Sequence, residues 1–348
     1  MNRTNIAWAE FTWNPTRGCS HVSPGCLNCY AEMFAGTRMS GPGQPFDELA
    51  TNVAGRGRWT GAVRAIPKKF DEPLRMRATA EAMARTLGRR PIVFVDSMSD
   101  LFHEDLDEAV ILQILATIAG APWFKFVVLT KRAKRMHAIM SDGAVAQAVR
   151  LIQRALPNAC YLLTWPLPNL WLGVSIENQR AADQRWKYLA ATPAAVRVVS
   201  AEPLLEFVAF DSIRGDEGET LDALGGWKHG DGISVPVEWP AIDWLILGGE
   251  SGNGPDIRPC SIEWIREPLL FARELAPYRP AVFVKQVGSR PVHKVEANGF
   301  VEFKTSGRPA VRNNRVRVQL PLDGIRNRAG ADPAEWSPDL RVREYPPD

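Results

Sequence analysis

Ile92-Val93-Phe94-Val95-Asp96-Ser97-Met98-Ser99-Asp100, the helical spacing of Leu106 to Ala119, and then Phe126-Val127-Val128-Leu129-Thr130-Lys131-Arg132 form the stretch on which the fold turns. The two short runs are apolar on successive residues and β-branched or aromatic, so they read as strands buried on both faces. The segment between them is rich in good helix formers and long enough to cross back and lay the second strand parallel to the first. Working outward, the same alternation recurs. Further strands are expected at Leu170 to Val174, Val196 to Val199, Trp244 to Leu247 and Val282 to Val284, with an initial one near Ile6 to Phe11. Helices are expected at Ala133 to Leu156, Gln179 to Ala191 and Ile262 to Leu275. Repeated strand-then-helix units predict an α/β protein built as a full or partial (β/α) TIM-like barrel rather than a doubly wound sheet.

The alternation is interrupted at about 36–64, rich in Gly and Pro, and at about 206–242, which mixes acids, glycines, Trp227 and Trp239. Both read as insertions over a barrel face, each able to serve as a lid. Beyond residue 287 it stops, and Pro, Gly and Arg take over. The expected organisation is therefore a barrel over 1–287, with a distinctive loop at 14–32, and an irregular C-terminal extension over 288–348. At 348 residues, 45% hydrophobic and 23% charged, the chain has ample material for a buried core and is neither fibrous nor disordered in composition. No run approaches the roughly 18 apolar residues of a membrane helix, and the first residues lead into no signal-peptide core, so a cytoplasmic protein without membrane contact is expected. Forty-two Lys and Arg against thirty-nine Asp and Glu is too even to announce a polyanionic partner. One local exception is Lys304, Arg308, Arg312, Arg315, Arg317, Arg326 and Arg328 against Asp323 alone. That stretch is either a polyanion-binding segment or a solvated basic tail.

A parallel barrel gathers its active site from the loops after its strands. Here those loops begin Asp96-Ser97-Met98-Ser99-Asp100, Thr130-Lys131-Arg132, Ser175-Ile176-Glu177-Asn178, Ser200-Ala201-Glu202-Pro203, Gly248-Gly249-Glu250-Ser251 and Lys285-Gln286. Glu177, Glu202, Glu250, Lys131 and Lys285 are expected to converge on one mouth, where such ionisable groups need a polar ligand or each other. Glu202, Glu250 and Lys285 are the candidates for catalytic work there. Some of the small polar residues, Ser97, Ser175 and Ser200 among them, have an alternative use as helix caps. The glycines of residues 248–254 lack the dinucleotide-binding spacing and instead suit a close approach of backbone to a ligand.

Five cysteines are an odd count for a disulfide framework, and three of them, Cys19, Cys26 and Cys29, crowd into a C-x6-C-x2-C loop just past the first strand. Gly18, Pro24 and Gly25 shape that loop. Three thiolates leave a structural zinc one ligand short, a place His21 could fill. They also suit a [4Fe-4S] cluster whose fourth iron is kept for a small molecule. Cys160 and Cys260 stand alone and read as small buried side chains.

Taken together, Trp8 to Pro15, Gly18-Cys19 to Cys29-Tyr30-Ala31-Glu32, Val93 to Phe102, Leu129 to Arg132, Leu172 to Glu177, Gly248 to Gly252 and the C-terminal Asp332 to Trp336 with Asp339 to Glu344 resemble the phage Gp37/Gp68, or three-Cys-motif, family. More broadly, a cysteine trio at the first strand of a barrel is similar to the radical S-adenosylmethionine superfamily. The resemblance implies that Cys19, Cys26 and Cys29 hold a [4Fe-4S] cluster and that S-adenosylmethionine binds its open iron. It also implies that one electron, from a separate donor, releases a 5'-deoxyadenosyl radical which abstracts a substrate hydrogen. Ser97, Ser99 and Asp100 are then candidates for the cofactor's amino group, Lys131 for its carboxylate, and Ser175, Glu177 and Asn178 for its ribose. The chain departs from the superfamily's common C-x3-C-x2-C, and Asn28 replaces the usual aromatic before the last cysteine. Its Gly248-Gly249-Glu250 element follows a late strand rather than the second.

For the substrate, the phage-type relatives, the basic stretch and the tryptophans at 59, 227 and 239 point to a nucleic acid or nucleotide on which those rings could stack, as in DNA modification. The alternatives are a radical enzyme acting on another small molecule or a peptide, and a non-catalytic, zinc-stabilised binding protein on a degenerate barrel.

Overall fold

The computed structural model describes residues 1–161, 164–230, 237–252, 256–275, 279–292, 294–297, 300–303, 325 and 327–347. Eight strands form one sheet whose spatial order is the chain order: β1 (Asn2–Arg3), β2 (Phe11–Trp13), β3 (Ile92–Val95), β4 (Lys125–Thr130), β5 (Leu170–Ser175), β6 (Val196–Ala201), β7 (Trp244–Gly248) and β8 (Ala281–Gln286). The short β1 runs antiparallel to β2, whereas the pairs β2–β3, β3–β4, β4–β5 and β7–β8 are parallel. Neighbours in unbroken chain order are what a (β/α) barrel requires, since a doubly wound sheet reverses its order at the middle. The expected α/β class is present, as a sheet of barrel-type order with β1 and β8 at its two ends.

The chain divides into two compact units, the first comprising 1–174, 188–198 and 347–348, the second 175–187 and 199–346. In the first, aromatic rings of β2 and of the start of β4 with the residue before it meet edge-on: Phe11 with Phe124, Phe124 with Phe126, and Trp13 with Phe126, at 5.8–5.9 Å between ring centroids. Each such contact adds about 0.5–1.5 kcal/mol to the burial of the rings. The first long strand begins at Phe11 because Ile6 to Ala9 close a turn, with Ala9 N–H donating to Ile6 O. Helix α1 (Tyr30–Arg38) follows the cysteine loop, and α2 (Arg77–Leu87) and α3 (Glu108–Gly120) come next. Asp107 caps α3 by accepting from Ala109 N–H. The helix expected over 133–156 is two, α4 (Ala133–Met140) and α5 (Gly143–Ala155). Asp142 is the reason: its carboxylate accepts from Ala144 N–H and starts a new helix.

The insertion expected at about 36–64 includes a hairpin, Ala50–Val53 with Arg56–Trp59, set tightly on α1. A Cβ on Gly57 would lie 2.1 Å from Glu32 O, and one on Gly36 would lie 2.4 Å from Gly57 Cα, so both positions depend on glycine for the approach. Trp59 packs against Phe46 in this cluster, a core role rather than a stacking one.

In the second unit, α6 (Gln179–Ala191) begins and α7 (Ile262–Glu274) precedes β8. The insertion expected at about 206–242 includes a small antiparallel sheet, Ile213–Arg214, Thr220–Asp222, Trp227–His229 and Val237–Glu238. Residues 330–345 return to β8: Val284 N–H donates to Val342 O and Glu344 N–H to Val282 O, while Trp336 and Leu340 are buried. This run covers the outer edge of β8, which would otherwise present unpaired backbone groups. The basic stretch from Lys304 to Arg326 lies outside the described residues. No helix among the described residues is long and apolar enough to cross a membrane.

Candidate functional site

The cysteine loop is shaped by backbone demands. Gly18 has φ +89°, and a Cβ there would lie 2.2 Å from Ala62 O, so only glycine turns the chain into Cys19. Pro24–Cys26 forms a short 3-10 turn, and Cys29 N–H donates to Cys26 O at 3.3 Å. Cys29 is the N-cap residue of α1. The three thiols lie near enough to disfavour one another's ionisation. Burial pushes the Cys19 thiol up to about 12, with Asp100 adding and Arg132 opposing. Burial also raises Cys29, against the backbone N–H groups of Glu32 and Ala31 and the charge of Lys131.

Two strand ends frame this loop. Asp100, after β3, is fully engaged: Oδ1 accepts from Thr130 Oγ1 at 2.7 Å and Phe102 N–H at 3.0 Å, and Oδ2 from Lys131 N–H at 3.2 Å and Arg132 Nη1 at 3.1 Å. Arg132, after β4, also donates to Glu104 Oε2 at 2.6 Å and Ser20 Oγ at 2.7 Å, and its Nη1 lies 3.9 Å from Cys19 Sγ. Burial works against its charge, but Asp100 and Glu104 outweigh that and raise its pKa. His103 is buried with its pKa lowered by that burial and by Arg132. Its Nδ1 accepts from Asp105 N–H at 3.2 Å, which leaves Nε2–H to donate to Ser20 Oγ at 2.8 Å.

Ser99 Oγ donates to Gly18 O at 2.7 Å, tying the β3 loop to the cysteine loop. Ser97 Oγ donates to Asn14 Oδ1 at 3.2 Å, and Tyr30 hydroxyl donates to Ser97 O at 2.6 Å. Lys131 differs: its backbone is held by Asp100, while among the described residues no ion pair or hydrogen bond engages its ammonium, which acts on Cys29. Asp96 closes β3 at φ +54°. It is buried, with Oδ1 accepting from Thr16 N–H at 3.1 Å and Oδ2 without a hydrogen-bond partner among the described residues, and burial pushes it up to about 7.

The second unit treats its strand-end acids differently. Glu177 is fully buried and held by a two-pronged pair with Arg185 at 2.8 and 3.3 Å, and Arg185 also donates to Ser175 O at 2.6 Å. Asn178 Oδ1 accepts from Ala181 N–H at 2.8 Å and so caps α6. Glu250 accepts from Arg258 N–H at 2.8 Å and pairs with its guanidinium. Glu202 and Lys285 do come together, at 3.0 Å, with Ser200 Oγ donating to the second carboxylate oxygen at 3.2 Å. The glycines beside them serve packing. A Cβ on Gly248 would lie 2.7 Å from Glu202 Oε1, and one on Gly249 2.5 Å from Val287 O. Gly254 and Asn253 lie outside the described residues.

Arg132, Glu104, Ser20, His103, Arg185 and Arg258 carry much of this geometry and were not singled out from sequence. Arg132 had a signal, because it directly follows Lys131 at a strand end. Glu32 was another omission: it is buried in α1 and accepts from His21 Nε2 at 2.9 Å, Trp59 N–H at 2.9 Å and Arg58 at 3.3 Å. This contact directs His21 to Glu32.

Among the described residues, no three His, Cys, Asp or Glu side chains stand close enough to share a single metal ion. A cubane cluster asks for a different arrangement, one iron per thiolate. Three thiols on one loop, with His21 turned to Glu32, suit that donor set.

The model of one family, described as protein of unknown function (DUF5131), matches residues 3–312, and the chain belongs to that family. No curated protein and no solved structure matches it.

Proposed function

We propose that this member of the DUF5131 family is a radical S-adenosylmethionine enzyme, with Cys19, Cys26 and Cys29 holding a [4Fe-4S] cluster at the end of a TIM-like strand array. The observation that carries the reading is the three-thiol loop beside the ammonium of Lys131, which no hydrogen bond or ion pair engages among the described residues, while the histidine of that loop, His21, is engaged by Glu32. When bound, the cluster and S-adenosylmethionine supply a one-electron cleavage that generates a 5'-deoxyadenosyl radical.

In this reading the chain's own residues do the following. Asp100 ties the β3 loop to the start of the β4 loop through Thr130, Lys131 and Arg132. Ser99 fixes the loop carrying Cys19 through Gly18 O. Lys131 receives the cofactor carboxylate, for which an ammonium with no competing ion pair among the described residues is suited. The Ser97 hydroxyl is already oriented by Asn14 and accepts a donor such as the cofactor's amino group. In the second unit, the Glu202–Lys285 pair is the candidate for holding or moving a proton, because Lys285 keeps about a quarter of its side chain exposed. The acids after β5 and β7, Glu177 and Glu250, are instead paired with Arg185 and Arg258 as supports.

We propose a nucleic acid or nucleotide as the substrate. Its support is the basic stretch around Arg312 to Arg317 together with Trp227, which is 44% exposed on the small sheet beside Lys228. Incubating the reduced, reconstituted protein with S-adenosylmethionine tests the enzyme class. Release of 5'-deoxyadenosine is expected, and none from protein with a full complement of iron and sulfide would overturn it. A flat salt dependence of single-stranded DNA retention would remove the substrate class.

A further inference from the structure

We propose that Arg132 is a positioning residue for the cluster, donating an N–H···S hydrogen bond to Cys19 that raises the reduction potential of the thiolate-ligated centre. The inference rests on the reading of Cys19, Cys26 and Cys29 as cluster ligands. Three features of the geometry lead to it.

First, the guanidinium is aimed without help from the sulfur. Nε is held by Glu104 at 2.6 Å, Nη1 by Asp100 at 3.1 Å and Nη2 by Ser20 Oγ at 2.7 Å, while the backbone N–H donates to Thr130 Oγ1 at 2.9 Å. Its side chain is 4% exposed, so its direction is set by the strand end and not by solvent. Second, Nη1 then lies 3.9 Å from Cys19 Sγ, within reach of a hydrogen bond to sulfur. Hydrogen bonds and positive charge at a cluster's sulfurs stabilise its reduced, more negative state. Third, the neighbouring charges make the contact consequential. Asp100 shares Nη1 and acts on Cys19 with the opposite sign, so Arg132 screens the thiolate from a carboxylate that would otherwise face it. Glu104 is 60% exposed and is bound by Nε, away from Nη1; burial and Arg132 lower the pKa of His103, and Lys131 acts on Cys29 instead.

Arg132→Met removes both the donor and the screen. Arg132→Lys keeps a charge but loses the fork that reaches Asp100, Ser20 and Cys19 together. The experiment is an EPR-monitored redox titration of anaerobically reconstituted full-length protein, with iron and sulfide measured on each sample. Arg132→Met is expected to lower the midpoint potential by about 60 mV, a tenfold change in the one-electron reduction equilibrium. Arg132→Lys should fall between it and the wild type, and adding Asp100→Asn to Arg132→Met should recover part of the loss. If the methionine variant does not fold, the lysine variant decides, and a wild-type potential there overturns the inference. A wild-type potential in Arg132→Met with full iron content overturns it as well. Wild-type protein that takes up no cluster removes the parent reading and this inference together, whereas an unmoved potential in a loaded protein removes the inference alone.

Discussion

The strand ends of the two units handle charge in opposite ways. In the second unit each acid meets its own base: Glu177 with Arg185, Glu202 with Lys285 and Glu250 with Arg258. Two of those bases lie eight residues beyond their acid, Arg185 within α6 and Arg258 in the loop that precedes α7. In the first unit, Asp100 and Glu104 share the guanidinium of Arg132, and the three thiols, the ammonium of Lys131 and the buried Asp96 have no ion pair among the described residues. Ionisable groups at a strand end are therefore not by themselves a sign of a ligand. What separates scaffold from site is whether the charges cancel out of reach of solvent. Among the described residues the first unit leaves the ammonium of Lys131 over, and in the second the Glu202–Lys285 pair keeps its lysine partly exposed, whereas Glu177 is fully buried against Arg185.

Removing a thiol should have the largest effect. Cys26→Ala is expected to abolish 5'-deoxyadenosine release and bleach the protein, with the far-UV circular dichroism and Tm of the metal-free chain unchanged, because Cys26 is a half-buried loop residue. Global unfolding of that variant would make the loop a structural element like the paired acids of the other unit.

Glu177→Ala should show the reverse pattern. It leaves Arg185 buried without its counter-ion, and urea unfolding should find a loss of about 3–5 kcal/mol. Replacing both partners with apolar residues of similar volume should cost much less. A loss below about 1 kcal/mol from the single change would mean that the pair is not the support described here.

Asp96 gives the first unit a pH signature. Its folded pKa, about 7, lies above the usual carboxylate range, so the folded chain binds a proton that the unfolded chain has released. Stability from this group is therefore present at low pH and falls as pH rises from about 4 towards 7. Asp96→Asn removes the loss, and its advantage over the wild type should be on the order of 4 kcal/mol at pH 8 and shrink to less than about 2 kcal/mol by pH 5. Equal Tm differences at both values would contradict the burial argument.

The smallest effect is expected at Lys131. Lys131→Met should change stability by less than about 0.5 kcal/mol. It should weaken S-adenosylmethionine binding to the loaded protein about tenfold by equilibrium dialysis, or about 1.4 kcal/mol. Unchanged binding would return the residue to the solvated surface.

How much of this was legible beforehand follows from the physics of each residue. Ile92 to Val95 and Gln179 to Ala191 were readable to the residue, because buried parallel strands and helices impose their own periodicity on the chain. The cysteine loop was readable because three thiols in so short a span are costly without a purpose. The break at Asp142 was missed because capping competes with an apolar periodicity that runs straight through it. The pairing of Glu177 with Arg185 was missed because a helical residue's partner depends on where its helix lands on the sheet. Asp100 reads from sequence as a ligand for a cofactor amine, whereas its four contacts lie within the protein. The direction of Arg132 towards Cys19 could not be seen without Asp100 and Glu104 in place to aim it.

Metal and sulfide analysis of protein purified without oxygen tests the central claim most directly. The account predicts about four iron and four sulfide per chain, with the visible absorbance lost in any of Cys19→Ala, Cys26→Ala or Cys29→Ala. One zinc per chain, in colourless protein that still binds it after His21 is restored from Glu32 by Glu32→Gln, would contradict it.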